Sequence, residues 1–283
     1  MSGYFDFTFS QSVGVGNMIG AINSTAVVEL DFRGDDPVFA GHYPDYPVVP
    51  ASLLTELCCD MVAAHRGLPS LMQCGWQIAR SKFGQGIRPG DRIRFAAVHG
   101  DDRSKISVTR GDEQVATLRF ERVQGLAQQL DAPNPAPQMH PAFDYLPQRY
   151  PLLAIDLVGQ DSATDRGVAR KFVSYSDYCF RKLDRAETAR YPVGGVIEGI
   201  EQAAASLLAQ RWDMADPGHV ILVAGLDGIH LNGVAMAGEV IDFVTRIETL
   251  TDTLAILSGQ ARVGDRSITS VAKIYVVRLA VAS

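Results

Sequence analysis

One histidine of the chain lies in an unusually stiff loop. His42 belongs to GHYPDYPVVP (41–50), in which Pro44, Pro47 and Pro50 restrict the backbone because proline fixes φ. An imidazole that a rigid loop aims toward the start of a helix is a candidate general base. The alternative is a loop histidine that only satisfies a backbone group.

Two apolar helical segments carry carboxyl groups, although burying an unpaired charge is costly. Glu198 and Gln202 are four residues apart and share a helix face, so the amide can hydrogen-bond and orient the carboxyl group. In the other segment Glu56 and Asp60 have the same spacing, and two like charges there repel or share a proton. The sequence therefore predicts one half that supplies a base and another that supplies an oriented acid. The alternative for Glu198 and Gln202 is a buried polar pair that only fixes the helix orientation.

The elements that must position these residues occur in the same order twice. In the first half, the patterns predict a strand at Thr25–Phe32, a helix at Ser52–His65, and strands at Trp76–Phe83, Arg92–Val98, Lys105–Thr109 and Gln114–Arg122. In the second half, they predict strands at Leu152–Val158 and Val168–Val173, a helix at Val196–Trp212, and strands at Leu222–Leu231, Val240–Leu250, Leu254–Val263 and Ser267–Leu279. Each half is thus one apolar helix followed by four antiparallel strands, and such a helix must be enclosed by the sheet that follows it.

The turns between the elements also repeat. IRPGDRIRF (87–95) and AMAGEVIDF (235–243) each place a tight glycine turn before a strand, which indicates an internal duplication. QGLAQQLDAPNPAPQ (124–138) has alternating prolines and no apolar periodicity, as is typical of an extended linker. We therefore predict an N-terminal domain at 1–123, a linker at 124–138 and a C-terminal domain at 139–283.

Composition excludes several functional classes. The 283 residues are 47% hydrophobic and carry a formal net charge of −6, which argues against disorder and against a nucleic-acid backbone binder. No apolar stretch is long enough to span a membrane, and MSGYFDFTFS (1–10) lacks the pattern of a secretion signal. GVGNMIG (14–20) does not fit a nucleotide-binding glycine loop. The expectation is a cytoplasmic protein, with its four cysteines reduced and buried.

Three segments resemble motifs of one enzyme family. GHYPDYPVVPASLLTE (41–56) resembles the signature G-H-F-P-x-x-P-V-M-P-G-x-L-x-x-E of the hotdog-fold β-hydroxyacyl-acyl-carrier-protein dehydratases. His42 and Glu56 fall on its histidine and carboxylate, whereas Ala51 replaces its glycine and Asp60 its later glutamine. LPQRYPLLAID (146–156) and VIEGIEQAAA (196–205) resemble L-P-H-R-Y-P-F-L-L-V-D and I-I-E-G-M-A-Q-A-A, which places Glu198 and Gln202 on the family's carboxylate and glutamine.

The resemblance implies an α+β double hotdog, in which two helix-wrapped antiparallel sheets form a pseudo-dimer in one chain, as in polyketide synthase dehydratase domains. His42 would then face Glu198 across the seam, with Gln202 behind the carboxyl group. Pro50 and Ala51, at the start of the first helix, would bind the substrate, with Ala51 the candidate for the backbone N–H that faces the thioester oxygen. Glu56 would be vestigial, because the second half has no histidine to face it.

The activity implied by the resemblance is dehydration of a 3-hydroxyacyl thioester in fatty-acid or polyketide-type biosynthesis. No metal or redox cofactor is expected. The phosphopantetheine arm would be supplied with the substrate, by a carrier protein or by coenzyme A. An acidic acyl carrier protein is the expected partner, docking on a basic surface for which Arg80, Lys82 and Arg88 are candidates. Neither nucleic acid nor membrane is expected as a partner, and a homodimer of double hotdogs stays open.

Three other functions stay open. An enoyl-thioester hydratase would run the same chemistry in reverse on coenzyme A esters. A hotdog acyl-thioesterase would use a helix carboxylate without needing His42. A non-catalytic partner subunit of a dehydratase complex would be consistent with the departures at Ala51 and Asp60.

Overall fold

In the computed structural model, the strands form a single antiparallel sheet. The residues it describes are 24–43, 46–123, 129–131, 137–161, 164–183, 188–209, 211–212 and 219–280. Twelve strands pair in the order β1-β3-β4-β5-β2-β9-β12-β11-β10-β8-β7-β6. The first half comprises β1 (Ser24–Asp31), α1 (Pro37–Gly41), α2 (Ala51–His65), β2 (Trp76–Phe83), β3 (Arg92–His99), β4 (Arg103–Arg110) and β5 (Glu113–Arg122).

The second half repeats this plan with an extension at one edge. Its elements are β6 (His140–Pro141), β7 (Leu157–Asp161), β8 (Arg166–Phe172), α3 (Val193–Leu208), β9 (His219–Leu231), β10 (Val240–Leu250), β11 (Leu254–Val263) and β12 (Arg266–Ala280), with 3-10 turns at Ala142–Asp144 and Tyr178–Phe180. The order β1-β3-β4-β5-β2 in one half matches β8-β10-β11-β12-β9 in the other. The two copies join where β2 pairs with β9, so the predicted double hotdog with its internal duplication is confirmed.

The two long helices form the core of the molecule. Leu53 and Val62 of α2, like Ile197 and Ile200 of α3, are fully buried. The helices contact each other, and α3 also packs against β8, β10 and β11. Burial of these apolar faces is the main stabilising contribution, at about 25 cal/mol for each Å² of apolar surface removed from water.

Both predicted glycine turns are present. Gly90 has φ of 89° and Gly238 has φ of 94°, values that side chains with a Cβ rarely adopt. Strands β3 and β10 start two residues after these glycines, at Arg92 and Val240. The repeat in the sequence therefore corresponds to a repeated backbone turn.

The predicted strand at Leu152–Val158 was wrong over its first five residues, because β7 starts only at Leu157. Pro151 has no N–H group to donate to a ladder. The Leu152 carbonyl and the Ala154 amide are instead bonded to the side chain of Gln202. The second predicted helix also ends earlier than expected, at Leu208 rather than Trp212.

Some predictions fall on residues that the structure does not describe. They concern the segments 1–10 and 14–20, Pro44, and most of the linker, including Pro133 and Pro135. The domain boundaries at 123 and 139 stay a prediction. Among the described residues, no helix is long and apolar enough to cross a membrane.

Candidate active site

A cavity of about 100 Å³ opens at the seam between the two halves. The first half lines it with His42, Pro50 and Ala51, and the second half lines it with Glu198 and Gln202. All five residues that the sequence assigned to catalysis and substrate binding therefore border one space. The sixth candidate, Glu56, is not part of this wall.

His42 follows directly on α1 and is oriented by the stiff loop. Its Nδ1 lies 3.0 Å from the Val48 carbonyl oxygen. Because a carbonyl only accepts, Nδ1 carries the proton and Nε2 keeps a free lone pair. Burial lowers the pKa of His42 to about 4, although the hydrogen bond that His42 donates to the Val48 carbonyl acts in the opposite direction. The imidazole is therefore neutral near pH 7 and able to accept a proton.

Glu198 projects from the middle of α3 and accepts two side-chain hydrogen bonds. Gln202 Nε2 donates to Glu198 Oε1 over 2.8 Å, as the four-residue spacing predicts. Ser52 Oγ, from the first turn of α2, donates to Glu198 Oε2. Burial raises the pKa of Glu198, and the two hydrogen bonds oppose that shift without reversing it. The group is thus suited to deliver a proton.

Gln202 is itself held by two backbone groups. Its Nε2 also donates to the Leu152 carbonyl over 2.6 Å, and its Oε1 accepts from the Ala154 amide over 2.9 Å. These partners define which amide atom faces Glu198, since the carbonyl only accepts and the amide only donates. The glutamine therefore cannot turn its oxygen toward the carboxyl group without losing both backbone bonds.

The start of α2 presents backbone donors to the cavity. Pro50 is the N-cap and makes no side-chain capping bond, and Ala51 is the first helical residue. The first N–H groups of a helix have no partners within the helix and carry a partial positive charge. Because Pro50 and Ala51 line the cavity, this helix end can stabilise a developing oxyanion there.

A strip of the second half, residues 146–156, contacts the neighbour of His42 and the glutamine that bonds Glu198. The Arg149 amide donates to the carbonyl of Gly41 over 2.8 Å, immediately before His42. A Cβ on Gly41 would lie 2.8 Å from the Arg149 carbonyl oxygen, so only glycine allows this approach. The same strip supplies the two backbone partners of Gln202, and it therefore fixes base and acid relative to each other.

The pseudo-equivalent position around Glu56 is built differently. Gly194 in α3 occupies the place that Ser52 occupies in α2, and a Cβ on Gly194 would collide with Glu56 Oε2. Asp60 stands where the second helix has Gln202, and burial raises its pKa. The asymmetry predicted from the two helices is therefore present in the packing.

Four further polar residues line the cavity and had no role predicted from the sequence, namely Tyr43, Gln85, Gln148 and Glu201. No role was predicted for Ser52 either. The sequence did contain features that could have indicated these roles. Ser52 is a polar residue in the first turn of a mainly apolar helix, and Gln148 lies within the LPQRYP motif.

Two of the three predicted docking cations share a surface. Arg80 and Lys82 border a basic depression on the outer face of the sheet, together with Lys105 and Arg119. Arg88 lies elsewhere, with its guanidinium 5.1 Å from the centre of the Tyr46 ring. The basic surface is defined here as Arg80, Lys82, Lys105 and Arg119.

The cysteines are free, and three of the four are buried as predicted, whereas Cys74 is half-buried. Burial raises the pKa of the Cys58 and Cys179 thiols, Cys179 to about 12, so neither is an activated nucleophile.

Comparison with known proteins agrees with the resemblance in the motifs. Residues 20–119 match the ApeI-like family, described as ApeI dehydratase. The 3-hydroxyacyl-[acyl-carrier-protein] dehydratase FabZ of Methylobacterium radiotolerans is 32% identical over 89 residues, covering 29% of this chain and 56% of that protein. The protein of the same name from Thermotoga maritima is 33% identical over 65 residues, covering 21% of this chain and 44% of that protein. The matches thus span about half the length of these relatives.

Solved structures match over nearly the whole chain. The dehydratase domain of PpsC from Mycobacterium tuberculosis, solved in complex with C12:1-CoA, superposes with a TM-score of 0.70 at 14% identity, covering 90% of this chain and 94% of that one. The dehydratase domain of RzxB from Pseudomonas fluorescens gives a TM-score of 0.64 at 12% identity, covering 89% and 94%. The fold is therefore the double hotdog of polyketide synthase dehydratase domains.

Fold and site together define a fused hotdog pseudo-dimer with one cavity at its seam. Residues 20–119 are thus similar to a dehydratase family, and the fold of the chain is the double hotdog.

Proposed function

We propose that the protein removes water from a 3-hydroxyacyl thioester to give a trans-2-enoyl thioester. The observation that carries the proposal is a pair of titratable groups, one from each half of the chain, that line one cavity. Burial keeps His42 neutral and so able to accept a proton, and it raises the pKa of Glu198, which favours the form that can donate one. Groups whose environments prepare them for opposite proton transfers are the mark of acid–base catalysis.

The first proposed step is loss of the α-proton. His42 Nε2 takes the proton from C2, and negative charge develops on the thioester oxygen. The Ala51 end of α2 stabilises this charge, because its unpaired N–H groups and the helix dipole face the cavity.

The second step is departure of the hydroxyl group. The electron pair from C2 forms the C2=C3 double bond, the C3–O bond breaks, and Glu198 gives its proton to the leaving oxygen, which departs as water. The catalytic groups are left as imidazolium and carboxylate, and transfer of one proton from His42 back to Glu198 through solvent restores them. Ser52 and Gln202 stabilise the transient carboxylate by donating to it. The chemistry uses only these side chains, and we propose that the phosphopantetheine arm is part of the substrate.

Two isosteric variants test the assignment of the acid. Glu198→Gln keeps the shape of the side chain but removes its acid, so we expect the rate of water loss from a 3-hydroxyacyl carrier substrate to fall by about 100-fold or more. Glu56→Gln, at the pseudo-equivalent position outside the cavity, is the matched control and should retain most of the rate. The opposite pattern would assign the reaction to the other carboxyl group.

The same samples distinguish the alternative functions. Release of free thiol would indicate thioester hydrolysis, whereas dehydration leaves the thioester intact. Absence of turnover by the isolated chain, with recovery on adding another subunit, would favour a non-catalytic partner.

We infer that the substrate arrives on an acidic acyl carrier protein, as the names of the FabZ relatives say of those proteins. Lys105 and Arg80 both lie opposite Arg119 in the sheet register, and like charges in that arrangement are destabilising unless an anion covers them. The distance between Arg80 and the Asp227 carboxylate is 4.0 Å, and no ion pair joins Lys82, Lys105 or Arg119 to any described residue. We propose that this basic surface receives the carrier.

Charge reversal separates docking from chemistry. Lys105→Glu together with Arg119→Glu should raise the KM for a carrier-bound substrate by about tenfold and leave the KM for the same acyl group on free pantetheine unchanged. The control is Arg103→Glu, on the same strand but opposite Glu121. Equal effects on both substrates would exclude the surface as the docking site.

The four free cysteines are consistent with the reducing cytoplasm as the place of the reaction.

A further inference from the structure

The cavity contains polar groups that the proposed steps do not use. Glu201 follows Glu198 by about one turn of α3 and lines the same space. It exposes 9% of its surface, and its Oε1 has no hydrogen-bond partner in the described part of the chain. An unsatisfied buried polar atom costs about 1–3 kcal/mol, so native proteins contain few of them.

A second such group reaches the cavity from the strip at 146–156. Gln148 exposes 4% of its surface, and its Oε1 likewise lacks a partner within the residues that the structure describes. Tyr43 also lines the space, but its hydroxyl is already engaged, donating to the Ile221 carbonyl over 3.0 Å. Two unsatisfied oxygens on the wall of one cavity indicate a ligand group that completes their hydrogen bonds.

The protonation of Glu201 determines which group fits. Burial and the neighbouring Glu198 raise the pKa of Glu201 well above its ordinary value, which favours the neutral carboxyl group that can donate. The Gln148 oxygen can only accept. A hydroxyl group satisfies a donor and an acceptor together, and a keto oxygen satisfies the donor. An anionic group would meet the lone pairs of the Gln148 oxygen and would lose its hydration on burial, so it is disfavoured.

The order of residues along α3 indicates which part of the substrate reaches this point. Glu198 is followed by Glu201 and then by Ala205, and the cavity lining also includes the apolar side chains of Val223 and Val276. Apolar walls suit the hydrocarbon end of an acyl chain rather than the polar pantetheine arm. At a rise of about 1.5 Å for each residue, Glu201 lies roughly 4.5 Å past Glu198 along the helix axis, a few carbon atoms from the reacting centre.

We propose that Glu201 and Gln148 form a polar subsite that selects acyl thioesters with a second oxygen, a hydroxyl or keto group, beyond the reacting carbons. The inference rests on the proposed function in taking this cavity as the acyl site. A site built to hydrogen-bond a substrate hydroxyl discriminates against the analogue that lacks it, because its own polar groups are then left unpaired.

Equilibrium binding tests the subsite without requiring turnover. S-hexanoyl-pantetheine and S-(5-hydroxyhexanoyl)-pantetheine both lack the reacting hydroxyl and differ only in the second oxygen. The full chain should bind the hydroxylated ligand at least about tenfold more tightly, the value of one good hydrogen bond. Glu201→Leu should remove this preference, whereas Glu201→Gln, which keeps an N–H donor, should retain part of it.

Gln148→Leu is the second variant and should also reduce the preference, which keeps the test valid if Glu201→Leu does not fold. Equal affinities of the unaltered chain for the two ligands would mean that water fills the subsite, and would overturn the inference. A preference that persists in both leucine variants would overturn the inference as well. So would an equal loss of affinity for both ligands, because that result would assign Glu201 to binding of the pantetheine arm.

A separate assay keeps the two proposals apart. Dehydration of a 3-hydroxyhexanoyl thioester depends on His42 and Glu198 but not on a second oxygen. Selective binding without dehydration would contradict the proposed function and support the subsite, whereas dehydration without selective binding would contradict the subsite alone.

Discussion

Ser52 of one hotdog donates its hydroxyl hydrogen bond to Glu198 of the other. The bond crosses the seam between the helices α2 and α3, and at the pseudo-equivalent position Gly194 has no hydroxyl to offer Glu56. Ser52 is thus placed to position the proposed acid, and in the proposed reaction it would act through Glu198 rather than by touching substrate.

Removing this hydroxyl should weaken catalysis and change its pH dependence. With Ser52→Ala we expect kcat for dehydration to fall by about tenfold, since a hydrogen bond to an ionisable group is worth roughly 1.5–3 kcal/mol. The hydrogen bond lowers the pKa of Glu198, so its loss should move the alkaline limb of the kcat profile to higher pH. Ser206→Ala is the control, because that buried hydroxyl bonds only the Ala203 carbonyl. An unchanged profile would contradict the positioning role.

The pH dependence of the unaltered enzyme should reflect the burial of His42. Its pKa of about 4 lies below the ordinary value of 6.5, so the neutral base is present above pH 4 and is lost as the pH falls through that value. We expect the acid limb of kcat/KM for dehydration near pH 4, and the alkaline limb where Glu198 loses its proton, above the usual range of carboxyl groups. An acid limb near the ordinary value for histidine would contradict this environment.

The lowered pKa of His42 also makes the stability of the folded chain depend on pH. Between about pH 4 and pH 6.5 the unfolded chain binds a proton at His42 that the folded chain does not, so the free energy of unfolding should fall as the pH is lowered through this window. Urea titrations across the window test this, with His42→Phe as the variant that should show a weaker dependence.

Replacing Gln202 should cost stability as well as rate. Gln202→Ala leaves the Leu152 carbonyl and the Ala154 amide without their partner, at about 1–3 kcal/mol for each buried group. Urea denaturation should show this loss, and dehydration should slow because Glu198 is no longer oriented. Gln114→Ala, at an exposed glutamine of β5, is the control and should change the free energy of unfolding by less than about 0.5 kcal/mol.

The close approach of Gly41 to Arg149 should not tolerate a larger residue at position 41. Gly41→Ala forces the His42 loop away from the Arg149 carbonyl, and a displacement of about 1 Å at a catalytic group can reduce kcat by about 100-fold. In Gly34→Ala the new methyl group meets only the Pro89 side chain at 3.7 Å, so this control should keep its rate. Equal kcat values would show that the loop is positioned by something else.

Local patterns were sufficient to predict much of this architecture. The alternation of β3 and β5, the apolar faces of both helices and the repeated glycine turns each report a backbone state that neighbouring residues determine. The pair Glu198 and Gln202 was predictable for the same reason, because helical spacing alone brings the two side chains together.

Contacts between distant segments were not predictable in this way. The bond from Ser52 to Glu198 joins residues 146 positions apart, and no spacing rule within either helix indicates it. Residues 152–156 have the apolar composition of a strand, but the Leu152 carbonyl and the Ala154 amide bond the side chain of Gln202. Tertiary packing therefore overrode local propensity at the residues that complete the site.

Joining both hotdogs in one polypeptide has an evolutionary consequence. In an association of two identical copies, every substitution appears at both seams, so neither a histidine nor an acid can be given up. In this chain, matching positions of the two hotdogs hold different residues. Ser52 corresponds to Gly194, and Gln202 corresponds to Asp60. Each copy has been free to specialise, and selection can refine one catalytic centre while the other is converted into framework.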